Sequence, residues 1–114
     1  MKVLLTLILV TASAFASAAD SARRDMEEVF DRNKGGIYAL YSKALRDNPK
    51  LAGKIVFDID IAKTGDVTAC RVRSSNLGSP DLERKLCDRI SQMKFKPAES
   101  ASTLTKPLDF YPAT

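Results

Sequence analysis

Gly53-Lys54-Ile55-Val56-Phe57-Asp58-Ile59-Asp60-Ile61-Ala62-Lys63-Thr64-Gly65-Asp66-Val67-Thr68-Ala69-Cys70-Arg71-Val72-Arg73-Ser74 decides the fold. In its first half Ile55, Phe57, Ile59 and Ile61 fall on every second position, with Lys54, Asp58 and Asp60 on the alternate ones. That two-residue period belongs to a strand buried on one face only. Lys63-Thr64-Gly65-Asp66 then supplies a glycine where a short connection needs positive φ, so the chain turns back as a β-hairpin. The return arm does not alternate cleanly. Val67, Cys70 and Val72 share a face only if one extra residue is inserted near Thr68-Ala69, which predicts a bulge.

Upstream, Met26, Val29, Phe30, Ile37, Leu40, Tyr41, Ala44 and Leu45 recur at helical steps, interrupted by Asn33-Lys34-Gly35-Gly36. Two adjacent glycines cost a helix interior about 2 kcal/mol against alanine. The apolar phase nevertheless survives them, with Phe30, Ile37, Tyr41 and Leu45 in line, so one helix is expected, with a bend point at the glycine pair. Asn48-Pro49 ends it. Downstream, Ser79 is placed to cap a second helix that opens on Pro80, with Asp81 and Glu83 in its first turn and Leu82, Leu86, Ile90 and Met93 as its buried stripe. Phe95-Lys96-Pro97 breaks that helix, and Leu104 to Tyr111 is the last strand. Pro107 lacks an N–H for a ladder and confines this strand to an edge. The order predicts an α+β domain, α-β-β-α-β, with a three-stranded antiparallel sheet and two helices packed on one face.

The N-terminus reads as a leader. Lys2 is followed by the apolar run Val3 to Val10 and by small residues from Ala14 to Ala19, a pattern that places cleavage near Ala18. Residues 1–18 are then the signal peptide, 19–24 a frayed N-terminus and 25–112 the domain. The apolar run falls short of the roughly 20 residues a bilayer span needs, so no stable membrane insertion is expected after cleavage. Export to an oxidising compartment makes a disulfide the default use of the two cysteines, Cys70 and Cys87.

Composition excludes several functions. With no histidine in the chain there is no Ser/His or Cys/His dyad, and a zinc site lacks its commonest ligand. The formal charge of +4 is dispersed among acidic residues and carries no nucleic-acid signature. Arg84, Lys85, Arg89, Lys94 and Lys96 read as a solvated helix face. Asp58, Asp60 and Asp66 leave one alternative open, a small secreted cation-binding protein or enzyme using those carboxylates, set against the plainer reading of a solvated strand face. No metal, catalytic residue or cofactor is assigned, and the chain is read as not an enzyme. Tyr38 and Tyr41 are placed either against a partner or in the core.

Asp31-Arg32-Asn33-Lys34-Gly35, Tyr38 to Arg46, Leu51-x-Gly53-Lys54, Ile59-x-Ile61, Gly65-x-Val67, Val72-x-Ser74-Ser75, Leu82-Glu83-Arg84 and Pro107-Leu108-Asp109-Phe110-x-Pro112 together resemble the C-terminal domain of TonB-family proteins. The branch they are most similar to is the one named for the AgmX and PglI gliding-motility proteins; the terminal domain of TolA is similar in architecture. The resemblance implies a periplasmic module of the cell envelope that binds a protein partner, a transport accessory by association, with the partner pairing along a sheet edge. The carried-over contact segment is the last strand, with Leu104, Thr105, Lys106, Leu108 and Phe110 as partner-binding residues. The chain departs from the transducers in lacking a retained anchor and a long spacer, which removes force transmission from the expectation and leaves partner binding in it. A homodimer built through strand edges is compatible with the same reading.

Overall fold

The computed structural model describes residues 13–112, with side chains from residue 21 onward. Its elements are α1 (Ser13–Asp47), β1 (Gly53–Ile61), β2 (Val67–Ser75), α2 (Pro80–Ile90) and β3 (Ser102–Phe110), the expected α+β order. The sheet runs β2-β1-β3, with β1 antiparallel to both neighbours. β2 and β3 therefore run parallel at opposite margins, and the segment containing α2 carries the chain from one margin to the other.

The alternation in β1 becomes the floor of the core. Ile55, Phe57, Ile59 and Ile61 are buried, joined by Val29, Phe30, Ile37 and Tyr41 of α1 and by Leu82, Leu86 and Ile90 of α2. Fully burying an aliphatic or aromatic side chain of this size contributes roughly 1.5–3 kcal/mol, so the helix-covered face holds most of the stability. The opposite face carries Lys54, Asp58 and Asp60 and has no helix on it among the described residues.

β2 is bulged twice. Asp60 pairs with Ala69 and Ile61 with Val67, leaving Thr68 over, which is the expected bulge. Val56 pairs with Ser74 and Phe57 with Val72, leaving Arg73 over as a second bulge that periodicity did not reveal. The bulge at Thr68 turns Val67 and Cys70 to the same face, where Cys70 meets Cys87 of α2 in a disulfide with Cα atoms 5.6 Å apart.

α1 passes through Gly35-Gly36 without interruption. The reason lies in α2: a Cβ on Gly36 would sit 2.6 Å from the Arg89 guanidinium, whereas one on Gly35 would meet nothing within 4 Å. Glycine at 36 thus lets Arg89 lie against the helix. The helix is already formed at Ser13, the first described residue and well before the apolar stripe, and the Ala and Ser residues there contain no breaker. It runs through 19–24, which the reading after cleavage leaves frayed; most of the leader reading falls outside the described residues.

α2 opens as expected, the Ser79 hydroxyl accepting from the Leu82 N–H at 3.3 Å. It closes earlier than expected, at Ile90, and Met93 reaches the core from the turn that follows. Phe95 is also buried, and its N–H donates to the Gly65 carbonyl at 2.9 Å. Gly65 has φ of 96° and a Cβ there would lie 2.0 Å from the Phe95 oxygen, so the hairpin turn and the segment after α2 interlock only around glycine. No helix among the described residues is long and apolar enough to cross a membrane.

Candidate functional site: the outer margin of β3

Which way the main chain of β3 points follows from the other side of the sheet. The Lys54 carbonyl accepts from Asn76 N–H at 3.1 Å, the Lys54 N–H donates to Asn76 Oδ1 at 2.7 Å, and the Ala62 N–H donates to the Asp66 carbonyl at 2.8 Å. Even-numbered residues of β1 therefore turn their main chain toward β2. Successive strand residues alternate, so Ile55, Phe57 and Ile59 turn theirs toward β3, onto Leu108, Lys106 and Leu104. Thr103, Thr105, Pro107 and Asp109 are left pointing away from the sheet.

This parity explains a proline inside a nine-residue strand. At an outward position Pro107 removes no ladder bond. It also removes a donor from the margin, and the Asp109 carbonyl one step on receives the Tyr38 hydroxyl at 3.5 Å. The C-terminal half of the margin is therefore partly closed. The N-terminal half, Thr103 and Thr105, presents a donor and an acceptor at each residue, with no neighbouring strand among the described residues.

Both flanks of that margin are shaped. On the helix side a cavity of about 300 Å³ lies between α1 and the C-terminal half of β3, lined by Glu27, Phe30, Asp31, Lys34 and Tyr38 from the helix and by Lys106 to Asp109 from the strand. Lys106 lies over the Phe30 ring at 5.1 Å and its Nζ is 3.0 Å from Glu27, leaving its side chain 18% exposed. On the open face the Thr105 hydroxyl donates to Asp58 at 2.8 Å and the Thr103 hydroxyl to Asp60 at 2.9 Å. Arg73, at the second bulge, reaches Asp58 at 3.0 Å, and Arg71 grips both oxygens of Asp60 at 2.8 and 3.1 Å.

These bonds set the carboxylates. The Arg73 guanidinium, then Thr105, holds Asp58 below its ordinary range, and Arg71, then Thr103, holds Asp60 down at about 2. Asp66 is lowered by Lys94, then Thr64, at the hairpin turn. Each of the three carboxylates named for a cation site already has a cationic partner, and no group of three or more metal-ligating side chains occurs among the described residues.

The five residues named for partner contact are thus divided. Leu104, Lys106 and Leu108 are half-buried on the helix face, and Thr105 projects to the open face. Phe110 is fully buried, with ring centroids 5.3 Å from Tyr38 and 4.8 Å from Tyr41, so it supports the margin from beneath. Thr103 belongs to the site although no partner contact is expected of it from the sequence, and Tyr38, expected either against a partner or in the core, lies at the site's edge. The parity of Pro107 was a signal for Thr103, since a proline tolerated in a strand implies that its own main chain, and that of residues two and four before it, faces outward.

No family model matches the chain, no curated protein matches it, and no solved structure matches it. The likeness to TonB-type domains rests on the quoted motifs alone.

Proposed function

We propose that this chain is an exported adaptor domain of the TonB C-terminal type that captures an extended segment of a partner protein along β3. The observation that carries the reading is the outward-facing main chain of Thr103 and Thr105, which has no neighbouring strand among the described residues, followed along β3 by a cavity of about 300 Å³ that flanks Lys106 to Asp109 on the helix side. In such β-augmentation the main chain supplies affinity and the flanking pockets supply selectivity. The Cys70–Cys87 disulfide supports an oxidising compartment, and the leader pattern supports export to the periplasm. The closed half of the margin, around Pro107 and Asp109, limits pairing to a few residues and opposes uncontrolled edge-to-edge association.

The test uses proline as a probe of parity. Peptides selected from a displayed library of unstructured sequences are titrated onto the chain and onto Thr103→Pro and Thr105→Pro. Both variants keep the β1 ladder, because the N–H they lose points outward, and both are expected to lose binding by tenfold or more. Thr105→Val, which removes the hydroxyl and keeps the main chain, is expected to retain it. Equal binding by the proline variants would overturn the reading, and a dimer in solution that dissociates in those variants would give the margin to a second copy.

A further inference from the structure

α1 presents two unlike shoulders to its neighbours. The shoulder toward β3 carries Glu27, Asp31 and Tyr38 and belongs to the site above. The shoulder toward α2 carries Arg32, Gly36 and Lys43, which at 3.6 residues per turn fall along one stripe, with Arg46 one turn beyond. Arg89 of α2 lies in the gap that Gly36 leaves in this stripe. Arg32, Lys43 and Arg46 have no hydrogen-bond or ion-pair partner among the described residues, and the Arg89 Nε is buried with none. Four cations without acidic partners therefore follow a single seam about 21 Å long at 1.5 Å per residue.

The seam deepens at one end. Between the C-terminal part of α1 and the start of α2 lies a groove of about 530 Å³ with Leu40, Ala44, Leu51 and Leu82 among its lining residues. Its acidic residues are Asp47 and Asp81, and Asp81 is already held by Arg84 at 2.8 Å and Lys85 at 3.0 Å. We propose that this seam is a second docking surface, on the side of α1 away from the β3 margin, and that its occupant is an extended acidic peptide segment carrying an apolar side chain. Glutamates or aspartates of the segment meet Arg32, Arg89 and Lys43, and the apolar side chain enters the groove.

A peptide fits these observations better than a bilayer does. A flat anionic surface attracts the cations but leaves the groove unfilled and brings Asp47 toward its phosphates. An extended chain of about seven residues, at about 3.3 Å per residue, covers the seam and follows its floor. Complementary charge then sets register and on-rate, with strong salt dependence.

The experiment titrates the full chain with a fluorescein-labelled peptide of about seven residues alternating Glu and Leu. A matched Lys-for-Glu peptide, and vesicles of phosphatidylcholine with phosphatidylglycerol, are titrated alongside. The acidic peptide is expected to bind at low salt and the basic one to fail. The exposed double variant Arg32→Glu/Lys43→Glu is expected to weaken binding tenfold or more, with an unchanged melting curve. Thr103→Pro, which blocks the β3 margin, is expected to leave it unaltered. Equal affinity of the charge-reversed variant, loss of binding in Thr103→Pro, or vesicle binding lost in Arg32→Glu/Lys43→Glu without any peptide binding, would each overturn the proposal.

Discussion

The two adjacent glycines of α1 offer a sharp test of how the helices meet. Glycine-to-alanine in a helix interior stabilises by about 0.8–1.0 kcal/mol through backbone propensity, and both positions share that gain. At Gly35 nothing opposes it, since the new methyl meets no atom within 4 Å, and Gly35→Ala is expected to raise stability by about 1 kcal/mol. At Gly36 the methyl would lie 2.6 Å from Nε and Nη2 of Arg89. Those atoms end a flexible side chain that holds no hydrogen bond through Nε, so the guanidinium swings aside and only its packing on α1 is lost. That loss roughly cancels the propensity gain, and Gly36→Ala is expected near zero. Placed in an Arg89→Ala background, Gly36→Ala recovers the full gain of about 1 kcal/mol, while Gly35→Ala is unchanged. Urea unfolding of the three single variants, the two double variants and the parent measures the cycle, with equal m-values required for the comparison. Equal stabilisation at both glycines with Arg89 present, or a deficit at Gly36 that persists without Arg89, refutes the packing described.

Other parts of the account are open to independent checks. The disulfide closes a separation of 17 residues, so replacing Cys70 and Cys87 together by Ala costs about 3 kcal/mol in the chain-entropy model. Thermal melts are expected to fall by more than roughly 10 °C, and to lose all sensitivity to reductant. Asp60 has a folded-state pKa of about 2, below its unfolded value, so its contribution is complete above the ordinary carboxylate range and is lost as pH falls toward 2. NMR titration of its carboxyl is expected to show a midpoint near that value, moving up toward the ordinary range in Arg71→Gln. Phe110→Ala empties a fully buried site between two tyrosine rings and is expected to cost about 3–5 kcal/mol by denaturant unfolding, which disqualifies it as a probe of binding.

Much of the fold was legible because its signals are local. The period of Ile55 to Ile61, the cap and proline at Ser79-Pro80 and the glycine at 65 each name an element without reference to anything distant. The bulge at Thr68 was legible for the same reason, since Val67, Cys70 and Val72 break the alternation of a single strand. The bulge at Arg73 was not, because Arg73 and Ser74 are both polar and leave no phase to read. The purpose of Gly36 depends on Arg89, over fifty residues away, and Phe95 looked like a helix breaker because its contact is with the Gly65 turn. At the site, the sequence placed β3 at an edge through Pro107 but assigned contact by side chain. Phe110 was then counted as accessible when its alternation with Leu108 and Lys106 turns it into the core, and Thr103 was passed over although its main chain faces away from the sheet. The bonds from Arg71 and Arg73 to Asp60 and Asp58 required the register of β1 against β2, which no single strand contains.

Site-resolved amide hydrogen exchange along β3, with the chain alone and with a captured peptide, tests the central claim most directly. The account predicts fast exchange at Thr103 and Thr105 and slow exchange at Leu104, Lys106 and Leu108 in the free chain, with protection appearing at Thr103 and Thr105 once the peptide is bound. Protection of those two amides in the monomeric free chain, or amides that remain fast when the peptide is held, would contradict it.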